Sequence, residues 1–135
     1  MVAVSLLTSA NPSRKTLEPL SRITQEMTSS LGRGDLDTWG EADEQFHREL
    51  VRLSGNHRLY AICSQMRDVA KRGHVIAVRM QSIEYKKGSM DNHRKLIGVI
   101  LRHNPDDAAR EHALQRRRGE EALIGIIEQY NLKTL

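Results

Sequence analysis

Five short motifs punctuate this chain at spacings that helices fill: Asn11-Pro12-Ser13, Gly32-Arg33-Gly34 before Asp35, Gly55-Asn56, Lys87-Gly88-Ser89 and Asn104-Pro105. Asn, Asp or Ser at the edge of a segment caps exposed helical N–H groups, and Pro at the first helical position loses no hydrogen bond. Gly just past a segment takes the left-handed turn that ends a helix. Between the motifs, apolar residues recur at intervals of three and four, as in Leu36, Trp39, Ala42, Phe46, Leu50 and Leu53. A second run is Leu59, Ile62, Met66, Val69, Gly73, Ile76, Met80 and Ile83, with Gly73 marking an expected kink. The next helix carries Met90, Ile97, Ile100 and Leu101, and the last carries Ala108, Ala109, Ala122, Leu123, Ile126 and Tyr130. No segment alternates with period two. The pattern predicts an all-α, antiparallel helical bundle with helices near 12–31, 36–54, 57–87, 90–103 and 105–130. Residues 1–10 read as the remnant of a truncated first helix, whose loss would leave an apolar groove that favours self-association.

Composition narrows the class. At 135 residues the chain is expected to form one domain, 1–135. Six His and one Cys, Cys63, leave no internal disulfide and no thiolate metal cluster, so a cytoplasmic location is expected. Nine Gly and 4% aromatic residues argue against a β-sandwich. No apolar run approaches a membrane span, so no membrane partner is expected. The net charge of +4 is modest, and Arg116-Arg117-Arg118 reads first as a solvated helix face. That run offers no element to enter a groove and read base edges, so specific DNA binding by this chain alone is not expected.

The informative residues are polar ones on apolar stripes. Asp43 lies among Trp39, Ala42, Phe46 and Leu50. A buried lone carboxylate is costly, so Asp43 is either exposed after all, paired, or bound to a cation. His47 follows one helical turn later, on the same face. His93 shares a stripe with Met90, Ile97 and Ile100, where a core His bonded to a carbonyl is the alternative to a ligand. His112 lines up with Ala108 and Ala122, and Gln115 is three residues further on that face. Carboxylate and neutral imidazole suit zinc, nickel or another borderline divalent ion. Such ligation should weaken below about pH 6, near the imidazole pKa. His57, His74 and His103 read as cap, helix-face and helix-end residues without a role.

These residues also carry a resemblance. Asp43-Glu44-Gln45-Phe46-His47, Leu50, Gly55-Asn56, His93-Arg94 and Asn104-Pro105-Asp106-Asp107-Ala108-Ala109 together resemble the FCD domain, the C-terminal effector-binding domain of a branch of GntR-type bacterial transcription regulators. The resemblance implies a ligand-sensing, dimerising bundle that binds a divalent metal and a small carboxylate effector in its core. It places metal ligands at Asp43, His47 and His93. The family's third His falls at Gln115, where His112 or a water would have to complete the shell. Arg67 and Arg79 are candidates for the effector's second carboxylate. The family's winged-helix domain has no counterpart in residues 1–35, so the chain is expected to be a fragment, a subdomain or the product of an internal start. Two other functions fit the same residues: a non-haem metalloenzyme using two His and a carboxylate, which lacks a visible second base, and a structural dimerisation module with a degenerate site.

Overall fold

The computed structural model describes residues 2–131. Among these residues six helices follow one another: α1 Val2–Ser9, α2 Glu18–Gly32, α3 Leu36–Leu53, α4 His57–Met80, α5 Ile83–Ile100 and α6 Pro105–Gln129. Among the described residues there is no strand, and no helix is long and apolar enough to cross a membrane.

Most of the expected punctuation appears as geometry. Asp35 accepts the Thr38 N–H at 3.1 Å and Asn56 the Leu59 N–H at 3.0 Å. Gly34 and Gly55 take φ of +71° and +76°, the left-handed conformation that a side chain would strain. Asn104 Oδ1 accepts from Asp106 N and Asp107 N at 3.1 and 3.2 Å, with Pro105 opening the helix behind it. Asn104→Ala is therefore expected to cost about 1 kcal/mol in urea unfolding. An unchanged midpoint would mean water caps α6 equally well.

Two boundaries differ from expectation. The helix predicted from residue 12 begins only at Glu18. Residues 14–17 form turns instead, with Ser13 Oγ accepting the Thr16 N–H at 3.2 Å. Pro19 is the cause: a helix begun earlier would put it in the interior, where it lacks the N–H and its ring clashes with the preceding turn. The long segment predicted to reach residue 87 ends at Met80, and α5 starts at Ile83 rather than near 90. Gln81 and Ser82 are extended, at ψ 143° and 160°, and Ser82 Oγ caps α5 through the Tyr85 N–H at 3.1 Å. Lys86, 1% exposed, holds this corner by donating from Nζ to the Gln81 carbonyl at 2.6 Å. Gly88 lies inside α5 and Gly73 inside continuous α4.

The packing forms two apolar clusters. One gathers Val4, Leu7, Leu17, Leu20, Phe46, Leu50, Leu96, Val99, Ile100 and Ala108 from α1, α3, α5, α6 and the start of α2. The other joins Met27, Trp39, Ala42, Val78 and Met90. Helix α4 packs principally on α3. The stripe expected to bury it does not: Ile62, Met66 and Val69 are 58%, 60% and 82% exposed, whereas Ala77 and Val78 are buried. The face that docks is the one that fits closely. At Gly40, a Cβ would stand 3.3 Å from both Val78 Cγ atoms, so α3 and α4 approach at a glycine. The polar residues on the stripes of α3 and α5 fall at the seam between the two clusters, beside Phe46, Ala42 and Met90.

Candidate metal centre

Asp43 and His47 project from one face of α3, and His93 meets them from α5. Asp43 Oδ1 is 3.4 Å from His93 Nε2 and 3.8 Å from His47 Nε2. One donor atom from each of the three lies within 4.8 Å of those of the other two. Ligands about 2.1 Å from a zinc-like ion stand roughly 3.4 Å apart at the tetrahedral angle, so the trio fits an ion with small adjustment. Phe46 sets the orientation of His93: the rings stack at 3.9 Å and 11°. His47 meets His93 edge-on, at 5.3 Å and 83°. The side chains of His93, Asp43 and His47 are 5%, 13% and 19% exposed. His93 Nδ1 is buried and has no hydrogen-bond partner among the described residues, so a core His bonded to a carbonyl is not what this geometry offers.

The electrostatics of the trio favour ligation near neutral pH. Burial pushes His93 down to about 3, helped by His112 and Arg94. Burial, then Arg67 and His93, holds His47 well below the usual imidazole value. Both rings are neutral, as ligands must be. Burial drives Asp43 the other way, up to about 6, against the pull of His74 and Arg67. The group whose proton competes with a cation near pH 6 is thus Asp43, where the sequence pointed to imidazole. The signs for folding follow by linkage. A depressed His93 contributes stability that is present above about 6.5 and lost as pH falls toward 3. A raised Asp43 contributes stability that is present below about 3.8 and lost as pH rises through 6. Asp43→Asn should therefore leave the chelated protein more stable than the parent at pH 7.5 and remove that advantage at pH 3.5, in urea unfolding at both. A parent as stable as the variant at pH 7.5 would count against a destabilising buried carboxylate.

The other expected residues divide. A cavity of about 940 Å³ adjoins the trio, and its wall includes Arg67, His112, Gln115 and Arg116. Arg67 Nε lies 3.2 Å from Glu44 Oε1. His112, pushed to about 4 chiefly by burial, has a buried Nδ1 without a partner among the described residues but is not one of the three that converge. Gln115 is turned to α5: its Nε2 donates to Asn92 O at 2.9 Å and to Glu111 Oε1 at 3.0 Å. Arg79 is not brought to the cavity; it is exposed, with Nη2 3.6 Å from Asp37 Oδ1. Sequence reasoning missed His74, whose Nε2 donates to Gly40 O at 3.1 Å and lies 3.8 Å from Asp43 Oδ2. The available signal was the spacing Ala70, His74, Ala77, Val78, a small-residue face passed over for the larger apolar stripe. Arg116, within the basic run, also lines this cavity.

The described residues thus form a helical bundle in which Asp43, His47 and His93 face one another. The family model of the FCD domain matches residues 2–116, and the chain belongs to that family. FCD domains are the effector-binding domains of GntR-type transcription regulators, regulatory rather than enzymatic. No curated protein and no solved structure matches the chain.

Proposed function

We propose that residues 1–135 act as one cytoplasmic ligand-sensing and dimerisation domain, binding a divalent metal, zinc or nickel, and a small carboxylate effector. The observation that carries this reading is the meeting of Asp43, His47 and His93, from two helices, at a cavity whose wall carries Arg67. Three protein ligands leave coordination positions open. A chelating carboxylate fills them, and Arg67 pairs with a second carboxylate on the same molecule, in exchange for Glu44. Ile62, Met66 and Val69, exposed along α4, supply the apolar surface for a homodimer. Metal and effector then bias two arrangements of the subunits.

Titration calorimetry tests the reading with zinc alone, then with a panel of di- and tricarboxylic acids on zinc-loaded and chelated protein. Carboxylates are expected to bind only the loaded form, and Arg67→Ala to weaken them without changing zinc affinity. Equal binding to chelated protein would remove the metal from the mechanism. Gln115, engaged by Asn92 and Glu111, favours a second reading: a structural dimerisation module with a degenerate site. In that case zinc does not bind, and only the dimer remains in sedimentation.

A further inference from the structure

We infer that His74 is a positioning residue of the metal centre, holding the Asp43 oxygen that points away from the ion. The inference rests on the metal reading proposed above. Asp43 divides its two oxygens between two sets of partners. Oδ1 faces His93 and His47 at 3.4 and 3.8 Å, and Oδ2 faces His74 Nε2 at 3.8 Å. His74 Nε2 is also 3.1 Å from the carbonyl of Gly40. A carbonyl oxygen only accepts, so Nε2 carries the proton. That atom is therefore a donor, not a metal ligand, and a carboxylate oxygen is a stronger acceptor for it than the carbonyl.

The helix crossing explains why His74 stands there. Gly40 and Asp43 are three apart on one face of α3, and His74 and Val78 are four apart on one face of α4. Val78 packs at 3.3 Å on the place where Gly40 would carry a Cβ, which seats His74 one turn away, between the Gly40 carbonyl and Asp43. When Asp43 gives Oδ1 to a cation, its free oxygen needs a donor to fix the carboxylate plane. A small movement lets the His74 N–H pass from Gly40 to Oδ2. Outer groups of this kind typically contribute 10–100-fold to metal affinity. They also join α4 to the centre without touching the ion.

The test is a competition titration of the parent, His74→Ala and His74→Gln with zinc, and the visible absorption of their cobalt(II) complexes. Glutamine is chosen because its amide N–H can also donate to Oδ2. His74→Ala should bind zinc roughly 10–100-fold more weakly, with the cobalt(II) band shape of the parent, and His74→Gln should recover most of the loss. Melting of the chelated variants checks that each folds, and His74→Gln carries the conclusion if alanine does not. Parent-like zinc affinity in His74→Ala overturns the inference while leaving the metal reading intact. A changed cobalt(II) band without rescue by glutamine also overturns it, since His74 would then be a ligand. Failure of the parent itself to bind either metal removes the metal reading and this inference together.

Discussion

His47→Ala is expected to lower the melting temperature of the zinc-loaded protein by roughly 10 °C more than that of the chelated protein. The argument is mass action. A ligand present at a hundred times its dissociation constant stabilises the folded state by about 2.7 kcal/mol, and removing one of three ligands forfeits that term. The ring is only 19% exposed and packs edge-on against Phe46 and His93, so its loss also costs packing in both buffers. The difference between buffers isolates the metal. Paired scans with and without chelator give it directly, and equal losses would make His47 an ordinary packing residue.

Phe46→Ala is expected to destabilise the chelated protein by about 3–5 kcal/mol in urea unfolding. Phe46 is fully buried in the cluster that joins α1, α2, α3, α5 and α6. Truncating it removes apolar contacts and leaves a cavity that helices on several sides cannot close together. Typical domains have only about 5–15 kcal/mol in total, so this one side chain carries a large fraction of the stability. The substitution also removes the surface on which His93 stacks. Phe46→Leu, which keeps most of the volume, should restore much of the stability and less of the metal affinity. A loss under about 1 kcal/mol for alanine would show that the core collapses around the gap.

The order of residues made the helical class readable because caps and apolar spacing are local properties. Asp35, Asn56 and Asn104 act through N–H groups two or three residues away, and each was recognisable from its neighbours. The Asp43–His47 pair was readable for the same reason, since one helical turn fixes their common face. His93 was singled out because a polar group on an apolar stripe is costly without a purpose. The two displaced boundaries were local as well, but each had competing signals. Pro19 outweighed the earlier Asn-Pro-Ser motif, and Ser82 with buried Lys86 outweighed Lys87-Gly88.

Other features belong to the meeting of helices distant in sequence. Which face of α4 is inside depended on a close approach at Gly40 and Val78, and so the stripe of larger apolar residues was left outside. That approach placed His74 beside Asp43, thirty-one positions away in the chain, and sent Arg79 to Asp37 at the surface. The burial that raises Asp43 and lowers His93 likewise arises only when α3 and α5 close over the site. Helical spacing specifies which side chains share one helix face, because the backbone repeat is the same everywhere. It does not specify which faces meet, because that depends on the shapes of two surfaces and on the free energy of burying them together.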